Sequence, residues 1–190
     1  MISRDEALIL IRKYIKTENT IKHMLATEAI MRALAKKLEP ENEEAWGLAG
    51  LIHDLDYEVA KNPEIEHGLK IFELLKQEGV ELGEAIEKTI KAHVYNYHPE
   101  WAPSNKMEWA LFICDSLTGL IVATTLVRPD KKLVTVEVKS IMKKFKQSAF
   151  AAGTRREEIA MCEEKLGIPL LEFVDLSLKA MQAISSDLGL

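Results

Sequence analysis

Apolar residues recur at steps of three and four through most of this chain, and that periodicity leaves little room for anything but helices. Ser3 with Glu6 reads as a capping box, and Leu8, Ile11 and Ile15 then share one face. Asn19 is the expected N-cap of a long second helix, along which Ile21, Leu25, Ile30, Met31, Leu34 and Leu38 form a stripe that Pro40 ends. Asn42 can cap a third helix running through Trp46, Leu48, Leu51 and Ile52 to His53-Asp54. Further helices are expected from Ile65 to Gly79, Leu82 to Tyr95, and Met107 to Leu126 with Ser104 as cap. The segment from Tyr97 to Ser104 holds two prolines and reads as a loop. Leu133 to Val138 alternates like a strand but has no partner, so a helix from Thr135 to Gln147 is preferred. Thr154 and Glu157 form a second capping-box pattern, Gly167 a stop, and Pro169 opens the last helix. The expectation is an all-α bundle of about eight or nine helices in a single domain spanning residues 1–190.

Charge and cysteine usage narrow the function. With 25 basic against 30 acidic residues the net charge is −5, which argues against a nucleic-acid polymer as partner. A small phosphorylated substrate stays open, since it needs only a local cation or a metal. Cys114 and Cys162 are the only cysteines, and they have no Cys-x-x-Cys spacing. No window approaches the roughly 20 apolar residues of a membrane span, and the opening residues lack a signal pattern, so a cytoplasmic protein without a membrane partner is expected. Lys139, Lys143, Lys144 and Lys146 read as a solvated basic face.

All five histidines lie between positions 23 and 98. Asp54 ends a mostly apolar helix, and Asp115 sits inside Ala110-Leu111-Phe112-Ile113-Cys114-Asp115. Carboxylates in such surroundings are costly unless paired or bound to metal. Two of them, with several histidines, suit a divalent transition metal held by mixed imidazole and carboxylate ligands.

The order His23, His53-Asp54 and Asp115 resembles the H…HD…D signature of the HD superfamily of metal-dependent phosphohydrolases. Glu66-His67-Gly68 and Ala92-His93 fall where binuclear members of HDIG type carry further histidines. The likeness covers residues 20 to 125, leaving 127–190 as a C-terminal helical extension. It departs from the HD-Ile-Gly variant, because Leu55-Asp56 follows the HD pair, and a Gly-Tyr-Pro feature of one phosphodiesterase branch is absent.

The resemblance implies an all-helical core and one or two divalent metals: manganese, iron, nickel, cobalt or zinc. His23, His53, Asp54 and Asp115 would hold the first, and His67 and His93 a second, with Asp54 bridging. It implies cleavage of a phosphoester or phosphoanhydride of a nucleotide-like small molecule by activated water. His53, Asp54 and Asp56 would serve catalysis, the last, like Glu58, by orienting a water or a ligand histidine. His98, Arg155 and Arg156 are the candidate substrate contacts; the two arginines open a helix, where cations oppose the dipole. Other HD-fold proteins with six ligands hold two irons and oxidise C–H or C–P bonds, and a non-catalytic nucleotide or metal sensor is a third reading. The apolar final helix either completes the bundle or makes a homodimer contact.

Overall fold

Apolar spacing and capping chemistry set the helix boundaries in the computed structural model, which describes residues 2–190. Helix α1 (Arg4–Tyr14) opens with the expected capping box: the Ser3 hydroxyl accepts from the Glu6 N–H, and the Glu6 carboxylate accepts from the Ser3 N–H at 2.7 Å. Helix α2 spans Glu18–Leu38 with Thr17, not Asn19, at its N-cap. A distant acceptor holds the two residues just ahead of this start. The Glu58 carboxylate accepts the N–H groups of Lys16 and Thr17 at 2.8 and 2.9 Å. After a 3-10 turn at Pro40–Asn42 comes α3 (Glu43–Ile52).

The single helix expected between Ile65 and Gly79 is two, α4 (Pro63–Glu66) and α5 (Lys70–Gln77). Gly68 has φ +78°, and a Cβ there would meet Val94 at 2.6 Å, so glycine is required at the break on both counts. Helix α6 (Glu84–His93) follows, then a loop containing the 3-10 turn Pro99–Trp101, then α7 (Lys106–Leu126). Asn105 caps α7 by accepting from the Glu108 N–H at 3.0 Å, whereas the expected cap, Ser104, donates to the Glu108 carboxylate.

Leu133–Thr135 is a 3-10 turn, and α8 is confined to Val138–Phe145. There is no strand among the described residues. The Thr154–Glu157 box does not form: α9 (Arg156–Ala160) has Arg155 at its N-cap and no side-chain cap bond. Helices α10 (Cys162–Leu166), α11 (Leu170–Ala183) and α12 (Ser185–Leu188) complete the order, with Gly167 as the expected left-handed stop after α10. Eight of these helices have eight residues or more, and four short ones lie between or after them.

Helices α2 and α7 run through the middle. Helix α2 packs on α3, α7 and α11, and α7 on α6, α8, α9 and α10. Ile141, Ile159, Cys162, Phe173, Val174 and Met181, all beyond residue 127, lie in the same buried cluster as Ile30, Trp46 and Leu117. The C-terminal helices therefore complete the core. Among the described residues α7 alone is long and apolar enough to cross a membrane by length and composition, against the expectation of no such window. Most of its apolar surface is covered by other helices, which accounts for a composition hydrophobic nearly all round. Cys114 and Cys162 are both buried and free, and burial pushes the Cys162 thiol up to about 11.

Candidate metal centre

Five elements deliver six side chains to one place. His23 comes from the first turns of α2, His53 caps the end of α3 with Asp54 beside it, and His67 stands just after α4. His93 is the last residue of α6, and Asp115 lies in the middle of α7. His53, Asp54, His67 and His93 are all buried. Close approach of α2 and α3 makes this possible. A Cβ on Gly50 would stand 2.9 Å from Met31 and 3.0 Å from the Thr27 carbonyl, so only glycine lets the two helices meet here.

The inward atoms lie at the separations of ligands around a shared ion. His23 Nε2 is 2.9 Å from Asp115 Oδ1, 3.4 Å from Asp54 Oδ2 and 3.2 Å from His53 Nε2. His67 Nε2 is 3.3 Å from Asp54 Oδ1 and 3.2 Å from His93 Nε2. Ligand atoms at about 2.0–2.2 Å from a common metal fall about 3–3.5 Å apart. Two groups result, His23 with His53 and Asp54, and Asp54 with His67 and His93. Asp54 belongs to both.

The outward nitrogens make the case from chemistry. His53 Nδ1 donates to the Gly50 carbonyl at 2.8 Å, His93 Nδ1 to the Ile90 carbonyl, and His67 Nδ1 to Asp56 Oδ1 at 2.7 Å. Thr118 donates its hydroxyl proton to the Asp115 carbonyl, so at 2.9 Å its oxygen accepts from His23 Nδ1. Every one of the four imidazoles thus spends Nδ1 as a donor and turns Nε2 inward, where loss of its proton leaves a lone pair for a metal. That is the tautomer a metal needs, and outer partners that enforce it raise ligand basicity.

Without metal, protons stand in. Burial lowers the His23 imidazole, but Asp115 and Asp54 outweigh it and lift the group to about 10. Burial likewise opposes Asp54 and Asp56 at His67, which also reaches about 10. Burial pushes the Asp54 carboxyl up, yet His53, His23, His67 and His93 together hold it well below the usual carboxylate range. Asp115, facing His23 and His53, is held low in the same way, whereas burial and two neighbouring imidazoles depress His93. The cluster is an alternation of bases and carboxylates in which a cation is required for neutrality.

The centre opens into a cleft of about 670 Å³ lined by His23, Asp54, His67 and Asp115 on one side and residues 151–155 on the other. Arg155 is the one Lys or Arg lining it among the described residues. Its guanidinium lies 5.8 Å from the Tyr97 ring centroid and 3.3 Å from Glu158. Arg156 does not reach the cleft. Its donors are taken up by the carbonyls of Phe145, Gln147, Phe150, Ala151 and Thr154, so it pins the loop before α9. His98 also stays outside, stacked on Trp101 with centroids 4.3 Å apart. Asp56 is fully buried, accepting from His67, from the Gly68 N–H at 2.9 Å and from the Ile71 N–H at 3.0 Å. It orients a histidine and does not face the cleft.

Three residues not singled out from sequence belong to the site. Thr118 orients His23, and Tyr57 and Tyr97, residues 54% and 41% exposed, line the cleft. Thr118 lies three positions after Asp115, one helical turn on, which is the spacing that could have revealed it. A larger groove of about 1000 Å³, bordered by Val138, Met142 and Leu171, contains none of the site residues.

Residues 20–120, more than half of the chain, match the HD domain family. The chain belongs to that family. HD domains make up a superfamily of metal-dependent hydrolases, and the matched segment contains the His53-Asp54 dipeptide. No curated protein and no solved structure matches the chain significantly. The matched segment contains every one of the six converging side chains, and this HD domain holds His/Asp groups placed to take a divalent metal.

Proposed function

We propose that this HD-domain protein is a phosphohydrolase that uses two divalent metals to cleave a phosphoester or phosphoanhydride of a small, nucleotide-like substrate. One observation carries the reading. Two donor groups share the Asp54 carboxylate, with Oδ2 toward His23 at 3.4 Å and Oδ1 toward His67 at 3.3 Å. His23, His53, Asp54 and Asp115 would hold one metal, and Asp54, His67 and His93 the other. Bound there, the metals supply a water acidic enough to attack phosphorus at neutral pH and positive charge for the phosphoryl oxygens.

The chain's own side chains do the rest. Asp56 keeps His67 in the tautomer that presents Nε2, and Thr118 does the same for His23. Arg155 offers fixed donors to a phosphoryl oxygen across the cleft from Asp54 and Asp115. The exposed residues Tyr57 and Tyr97 bring aromatic rings to the cleft, where a base could stack.

Metal content and phosphate release on a panel of phosphate esters and anhydrides test this. Purified protein should carry divalent metal and release phosphate, and His53→Ala and Asp54→Ala should lose both. Unchanged activity in those variants contradicts the reading, as does oxygen-dependent turnover with no phosphate released.

A further inference from the structure

Between α2 and α7 the metal centre continues into a second compartment of opposite character. Its volume is about 410 Å³, and Ala26, Val122, Leu126, Leu188 and Leu190 supply its apolar wall. Asn19, His23, Thr118 and Gly119 line both this compartment and the open cleft, so the two are continuous past His23. Sequence spacing explains the gradient. On α2, Asn19, His23 and Ala26 follow at four and three residues, and on α7 Asp115, Gly119, Val122 and Leu126 follow at four, three and four. Each set shares one helix face, polar at the metal end and apolar at the other.

Gly119 lies where the two spaces meet. It sits inside a 21-residue helix, where glycine weakens the helix relative to alanine. No atom lies within 4 Å of the position its Cβ would take, so no packing contact demands the glycine. Gly50 and Gly68, by contrast, are each required by a neighbour that a Cβ would strike. Gly119 is exposed, and its missing side chain leaves open space where the cleft and the apolar compartment share their lining.

We infer that this compartment is the binding site for the substrate's organic group, and that this group is predominantly apolar, in place of the nucleotide-like body given above. The substrate lies across Gly119 with its phosphate at the His/Asp cluster and its uncharged body between Val122, Leu126 and the Leu188–Leu190 segment. Asn19 and Lys22 also line it, with the Lys22 ammonium close to Gly189, and the remaining wall beyond Gly119 is apolar. The inference rests on the phosphohydrolase reading only for the identity of the charged head.

Calorimetric titration of metal-loaded protein with methylphosphonate and 1-naphthylphosphonate, neither of which turns over, tests it. Burying a naphthyl group should make the second bind at least about tenfold tighter. Gly119→Leu, which fills the passage, and Val122→Asn, which makes the wall polar, should each bring the two affinities to within about threefold of one another. Metal content and helical circular dichroism identify which variant is folded, and either one suffices. Equal affinities in the wild type, or a preference that survives a folded variant, would overturn the inference. Phosphate release from 1-naphthyl phosphate is read separately. A naphthyl preference without release upholds this site and contradicts hydrolysis, whereas release without a preference upholds hydrolysis and overturns this site.

Discussion

Asp56 illustrates how a residue can serve the centre without facing it. Its two oxygens accept one imidazole and two backbone N–H groups, which fixes both His67 and the turn after it. Asp56→Asn replaces one of those acceptors with a donor. Metal affinity, measured by competition with a chromophoric chelator, should fall about 10–100-fold while the helical fold persists. Gly119→Ala should do the opposite to stability. With nothing near its Cβ, the substitution should add about 0.5–1 kcal/mol in urea denaturation. A loss of stability there would mean that the passage is narrower than described. The order His23, His53-Asp54, His67, His93 and Asp115 was legible because the family pattern is written along the chain, and all six meet in space. Thr118, Tyr57 and Tyr97 were not, since their roles depend on which helix faces they reach. Arg155 and Arg156 look alike in sequence, yet one lines the cleft and the other is consumed by carbonyls. Nothing in a dipeptide of identical residues separates those fates.

Among the elements, boundaries moved wherever a distant or competing acceptor intervened. Glu58 holds the backbone N–H groups just ahead of α2 from 41 residues away, and Asn105 takes the role expected of Ser104 because Ser104 is donating to Glu108. The helix expected across His67 breaks because Gly68 must pass under Val94 and because Asp56 needs the freed N–H groups. Local periodicity carries no trace of either demand. Stripes and proline stops, which are local, located α1, α3, α6, α7 and α11 well. Two substitutions separate the kinds of constraint. Asn105→Ala removes a cap and should cost about 1 kcal/mol, with the metal centre unaffected. Gly50→Ala forces α2 from α3 at the point where His53 and His23 converge. It should cost about 1–3 kcal/mol in urea denaturation and weaken metal binding as well. If Gly50→Ala altered stability alone, the α2–α3 contact would not be what sets the ligand spacing.

For the molecule as a whole, the centre ties α2, α3, α6 and α7 together, so metal and stability are linked. Without metal, His23 and His67 are raised to about 10 from 6.5, so their contribution is complete below about 6.5 and is lost as pH rises through about 10. Asp54 and Asp115 are lowered, so theirs is present at neutral pH and lost in acid. A metal must displace the histidine protons, and its advantage grows as pH rises. The gap in Tm between metal-loaded and chelated protein should therefore widen from about pH 6 to about pH 8. The central claim is that six side chains from five elements surround metal, with Asp54 shared. Anomalous diffraction collected at the absorption edges of manganese, iron, cobalt, nickel and zinc tests it most directly. The account predicts two anomalous peaks flanking Asp54, one among His23, His53 and Asp115 and one beside His67 and His93. Crystals of protein purified without chelator, grown with divalent metal present and showing no peak within reach of Asp54, would contradict it.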